Sequence, residues 1–124
     1  MNLPVKVFFY EKCIEKLREK YLIRSYSFFI SLGILYFNNS FENDKLELIE
    51  KIRSLIFKKQ TVDINCFSSI FFEKSIKLSS QEVMKLMKLY KEKYKMQEIR
   101  KIQVVNFFIN LGIAFLIEKE LRRL

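Results

Sequence analysis

Two short runs place polar and aromatic groups two residues apart. In VKVFF, residues 5–9, Lys6 and Phe8 alternate with Val5, Val7 and Phe9; in EKSIKLS, residues 73–79, Ser75 and Lys77 alternate with Ile76 and Leu78. On strands that spacing sends the two sets to opposite faces, so Lys6, Phe8, Ser75 and Lys77 point away from the core. Lysine donates hydrogen bonds, serine donates and accepts, and phenylalanine offers an apolar edge. These groups can recognise a partner, but they do not assemble a reaction. With no histidine, no clustered carboxylates and no Gly-rich phosphate loop, no catalytic constellation can be built, and an enzyme is not expected. Cys13 and Cys66 are too few and too far apart for a zinc site. They read as small buried hydrophobes, with a disulfide between them as the alternative in a hyperthermophile. No metal or cofactor is expected.

The elements that position these groups occur twice. Residues 27–37 read SFFISLGILYF and residues 106–116 read NFFINLGIAFL, with six identities in eleven aligned positions. Before the first copy lie strand 5–9 and a charged helix, Glu11 to Tyr21, with Ile14, Leu17 and Tyr21 on one side. Its alternating Glu11, Glu15, Glu19 and Lys12, Lys16, Lys20 read as a solvated ion-pair face. Aligning Phe9 with Leu78 also aligns Ile14 with Val83 and Leu17 with Leu86, so each half reads strand, helix, helix. The second strand is expected at 74–78, followed by a capping box, Ser79 with Glu82, and a helix turning Val83, Leu86, Met87 and Tyr90 inward. Between the halves, Asn43 or Asp44 caps a third helix reaching Lys59, and residues 60–71 read as a packed connector. The chain is thus expected to be one domain, 1–124, holding a first unit (3–37), a linker with an extra helix (38–71) and a second unit (72–124). The fold class is mainly α with a short two-stranded antiparallel ribbon. Phe28, Phe29, Leu32, Phe107, Phe108 and Leu111 should pack across a pseudo-twofold axis, and Gly33 and Gly112 imply a close helix–helix approach, since each costs about 1 kcal/mol of helix stability against alanine.

Half of the 124 residues are hydrophobic and 30% are charged, with one proline and two glycines, a composition of long helices rather than turn-rich sheets. The net charge of +9 is segregated. Residues 1–37 carry six Lys/Arg against three acids, 38–71 five against five, and 72–124 twelve against six. Basic flanks around a neutral middle suit a polyanionic partner. The apolar stretches run about a dozen residues, short of the roughly twenty that cross a membrane, so no membrane partner is expected. Nothing resembles a signal peptide, which makes the cytoplasm the expected compartment.

A short alternating strand, an amphipathic helix, and then the Arg-Ser of RSYSFFISLGILYF opening an apolar helix resemble the ribbon-helix-helix transcription factors. The second copy matches through SIKLSSQEVMKLMKLY and FFINLGIAFL. Two copies in one chain resemble a covalently joined dimer, like the tandem regulators of archaeal filamentous viruses, in which case the compartment is the host cytoplasm. The second copy departs from the pattern in two ways. Phe9 to Phe28 spans 19 residues but Leu78 to Phe107 spans 29, and Gln103-Val104 stands where Arg24-Ser25 would align.

The resemblance implies double-stranded DNA as partner, with the ribbon in the major groove. Lys6, Phe8, Ser75 and Lys77 would read bases: lysine toward guanine N7 and O6, Phe8 toward a thymine methyl. Free backbone N–H groups opening the second helix of each unit form an anion site. Arg24 and Ser25 would hold phosphate there in copy one, and Arg100 and Lys101 in copy two. Lys85, Lys88, Lys91 and Lys95 also recur on one side of their helix, as a solvated face would. A homodimer or higher assembly on DNA would use the third helix. Two other readings compete: a helical RNA- or protein-binding subunit of a ribonucleoprotein, which would make both strand segments helical, and an antitoxin, which needs a longer tail than the eight residues after the last repeat.

Overall fold

The computed structural model describes residues 1–39 and 43–121, the side chains of 43–45 excepted. Seven elements follow in order: β1 (Asn2–Phe9), α1 (Glu11–Tyr21), α2 (Ser27–Asn38), α3 (Asn43–Phe57), β2 (Phe67–Lys77), α4 (Ser80–Tyr94) and α5 (Lys101–Leu121). The fold is mainly α-helical with one two-stranded antiparallel ribbon, β1 against β2. Its strands come from opposite halves of the chain, as a tandem pseudo-dimer requires. Leu3 pairs with Ile76, Val5 with Lys74 and Val7 with Phe72; the register is irregular between Val7 and Phe9, and Phe9 pairs with Phe67.

Both strands exceed expectation. Strand β1 begins at Asn2 rather than Val5. Strand β2 begins at Phe67, so the last five residues of the expected connector 60–71 are ribbon. The proposed cap of α3 at Asn43 or Asp44 lies outside the described side chains. At α4 the capping box is present: Glu82 N–H donates to Ser79 Oγ and Ser79 N–H to Glu82 Oε1, both at 3.1 Å.

The ten extra residues of the second unit are distributed over three places. Helix α4 runs four residues past the position aligned with the end of α1, the following loop has one more residue, and α5 starts five residues before the position aligned with Ser27. The equivalence of the two units survives at the first helix ends: Leu22 (φ 56°) and Lys95 (φ 52°) are both left-handed caps, donating to Arg18 and Lys91 carbonyls respectively.

Helix α5 is the axis of the core. From Val104 to Ile117 every residue except Phe115 is buried, the pattern of a helix that is apolar on all sides because it is covered on all sides. Its length and composition would pass for a membrane span, but 72% of the apolar window is buried inside the protein. Helix α2 crosses α5 at Gly33 and Gly112. A Cβ on Gly33 would strike the Phe108 carbonyl, and one on Gly112 would strike the Phe29 carbonyl. Phe29 aligns with Phe108 and Gly33 with Gly112, so the crossing has pseudo-twofold symmetry.

The outer layers break that symmetry. Helices α3 and α4 pack on α5, where Phe57 stacks on Tyr90 (5.0 Å between ring centres) and Tyr90 meets Phe107 edge-on (5.2 Å). Arg53 ties the two outer helices, its guanidinium 3.6 Å from the Tyr94 ring centre and its Nε donating to the Tyr90 hydroxyl at 3.2 Å. Phe107 is therefore fully buried, whereas its counterpart Phe28 is 47% exposed, against the expectation that both would pack across the axis. Met87 is half-buried rather than fully inward. The charged face of α1 also forms more specific pairs than expected: Arg18 with Glu15 (3.0 Å) and Lys20 with Glu120 (2.6 Å).

Candidate nucleic-acid interface

Over the regular register, residues 2–7 against 72–77, the ribbon has one buried and one exposed face because its apolar residues follow the strand period; beyond it, in the irregular stretch, Ile70 is 82% exposed. Val5, Val7, Phe9 and Ile76 are buried. The exposed side carries Asn2, Pro4, Lys6 and the half-buried Phe8 from β1, and Ser69, Phe71, Glu73, Ser75 and Lys77 from β2. All four expected reading residues therefore share one face. Lys77 lies opposite Asn2, Ser75 opposite Pro4 and Glu73 opposite Lys6.

Three of the exposed groups interact. The Phe8 and Phe71 rings meet at 5.5 Å, and Lys6 Nζ sits 4.7 Å from the Phe71 ring centre, a cation–π contact. Although Lys6 and Glu73 are cross-strand partners, no ion pair forms between them among the described residues. Lys6 therefore keeps its donors available. Glu73 adds a carboxylate acceptor of the kind that pairs with cytosine N4.

The outer edge of β1 is closed by side chains of α5. Lys6 N–H donates to Asn106 Oδ1 and Phe8 N–H to Asn110 Oδ1, both at 3.0 Å, while Asn110 Nδ2 donates to the Lys6 carbonyl at 2.8 Å and to the Asn106 carbonyl at 2.7 Å. Both asparagines are buried, and a buried amide has to be satisfied in this way. They occupy the positions aligned with Ser27 and Ser31, whose side chains are shorter.

Helix starts flank the ribbon. Arg100 is the residue before α5 and accepts from Val104 N–H at 3.3 Å, so it stands at the cap with free N–H groups following. A cleft of about 480 Å³ brings Arg100 together with Lys6, Phe8, Phe71 and Lys59. Lys101 opens α5 and is exposed. In copy one, Arg24 and Ser25 are exposed and line a separate cavity of about 420 Å³ beside Leu22 and Phe28. Their loop is fastened by Arg18, which donates to the Ile23 and Arg24 carbonyls at 3.3 and 3.0 Å. Ser25 Oγ accepts from Ser27 N–H at 3.2 Å, a local turn at the helix start.

Tyr26 joins this loop to the ribbon. Its ring lies 6.4 Å from Phe72 and 5.0 Å from Lys74 Nζ. Burial, reinforced by the neighbouring Glu15 carboxylate to which it donates at 3.2 Å, pushes the Tyr26 hydroxyl well above the ordinary tyrosine range.

Phe71, Glu73 and Lys59 were not anticipated. Ser69, Phe71, Glu73, Ser75 and Lys77 do alternate, but Phe71 and Phe72 put an aromatic on each face, and Lys74 falls on the inner one. Lys59 has a left-handed backbone (φ 53°) two residues beyond α3, and no periodic pattern marks it.

No family model, curated protein or solved structure matches this chain.

Proposed function

We propose that this protein is a double-stranded DNA-binding regulator that reads sequence with a two-stranded ribbon laid in the major groove. The observation that carries the reading is the exposed ribbon face, with Lys6, Glu73, Ser75 and Lys77 beside the Phe8–Phe71 pair. Such a ribbon fits the major groove, and these side chains supply donors, an acceptor and an apolar edge for base readout. Arg100 and Lys101 at the start of α5, and Arg24 and Ser25 at the start of α2, would hold backbone phosphates. In this reading the chain binds and does not catalyse. The all-helical ribonucleoprotein reading lost its structural premise when both segments formed strands.

The test is selection of bound fragments from random duplexes, followed by titration of the enriched sequence against scrambled DNA at several salt concentrations. Enrichment of a discrete sequence, with affinity falling steeply as salt rises through counterion release, is the expected outcome. No enrichment, or affinity indifferent to salt between low and physiological levels, would overturn the reading.

A further inference from the structure

The chain has only two cysteines, 53 positions apart, and folding brings them together. Cys13 lies in the first turn of α1, its N–H bonded to the Tyr10 carbonyl at 3.0 Å, and Tyr10 N–H in turn donates to the Cys66 carbonyl at 2.9 Å. Cys66 directly precedes β2, whose first residue, Phe67, pairs with Phe9. Its backbone is left-handed, φ 63°, a conformation uncommon outside glycine, asparagine and aspartate. The Cys13 thiol is near enough to contribute to the rise of the Cys66 thiol above its ordinary range. Both cysteines are free and only half-buried, so a small molecule can reach them.

We propose that Cys13 and Cys66 are a redox pair that closes into an intramolecular disulfide, stapling α1 to the start of β2. The co-reactant is a small-molecule disulfide such as oxidised glutathione. One of the two protein thiolates attacks one of its sulfurs, breaking that S–S bond and expelling one thiolate. The other cysteine then loses its proton and attacks the protein sulfur of the mixed disulfide, expelling the second thiolate. Two protein thiols are oxidised and one small disulfide is reduced to two thiols. Burial, then the adjacent Cys13 thiol, pushes Cys66 up to about 11 against a smaller opposing effect of Lys16. The bond would close a loop containing α2 and α3, which restricts the unfolded chain far more than the folded one.

The whole chain would be equilibrated across a series of reduced-to-oxidised glutathione ratios, alkylated, and weighed intact. The expected product is a monomer two hydrogens lighter than the reduced chain, with Cys13 and Cys66 peptides linked, restored by dithiothreitol, and melting roughly 10 °C higher than the reduced form. Cys66→Ser should stop at a glutathione adduct on Cys13. Two alkylated thiols across the whole series, stable glutathione adducts on the wild-type chain, or disulfides formed only between chains would overturn the proposal. The mass readout uses the wild-type protein, so it stands even if a variant folds poorly, and it requires no DNA.

Discussion

Gly33 and Gly112 face each other's helix at one crossing point, with Gly112 N 3.3 Å from where a Gly33 Cβ would lie and Gly33 N 3.0 Å from where a Gly112 Cβ would lie. The obstacle to a methyl group is backbone on both sides, the carbonyls of Phe108 and Phe29. Neither can withdraw without breaking its own helix. Gly33→Ala or Gly112→Ala should therefore destabilise by about 3 kcal/mol or more, at the upper end of overpacking costs. Denaturant titration checks this; a gain of the size that helix propensity alone gives alanine, about 1 kcal/mol, would contradict the close crossing.

Asn110→Ala should cost about 2–4 kcal/mol, because it leaves the Phe8 N–H and the Lys6 carbonyl without partners at a covered strand edge. Hydrogen exchange gives a local readout. The Phe8 amide should lose its protection while the α4 amides keep theirs relative to global stability.

On specific DNA, Lys6→Ala, Glu73→Ala and Lys77→Ala should each lose discrimination by about 1–3 kcal/mol where the contact is a good one. Arg24→Ala and Arg100→Ala should weaken all sequences alike and lower the salt slope by about 1. Equal losses on specific and scrambled duplexes for the strand variants would show that the ribbon does not read bases.

Alkaline stability should report on Tyr26. Its hydroxyl stays protonated in the fold well above the ordinary value near 10. Above pH 10 the unfolded chain therefore binds fewer protons than the native one, so stability present below that pH declines as pH rises further. Tyr26→Phe should flatten this decline in pH-dependent melts. An identical alkaline profile in the variant would remove Tyr26 as a contributor.

Much of the architecture was legible because periodicity and spacing carry it. Alternation in VKVFF and SIKL gave the parity of Lys6, Phe8, Ser75 and Lys77, Ser79 and Glu82 announced a cap, and two glycines in apolar helices announced a close crossing. Other features depend on tertiary partners. Phe28 and Phe107 are identical in type and stand in closely similar local sequence, and the attachment of α3 and α4 to α5 goes with the burial of Phe107 while Phe28 stays exposed. The start of α5 was obscure because Gln103-Val104 carries no capping signal and the helix begins earlier, at Lys101. The Asn106 and Asn110 edge seal could not be anticipated, since a buried asparagine on an apolar helix gives no sign of which backbone it will meet. Phe71 and Glu73 joined the candidate site only when residues 67–73 proved to be strand.

Because β1 and β2 belong to one chain, the ribbon carries no dilution penalty. A protein that assembles its ribbon from two molecules loses it below the dissociation constant of the pair, where the amount assembled rises only with the square of the subunit concentration. Here one molecule already holds both strands, so the amount of ribbon follows the amount of chain in direct proportion. Mixed ribbons, with one strand borrowed from a related chain, have no free half to form from.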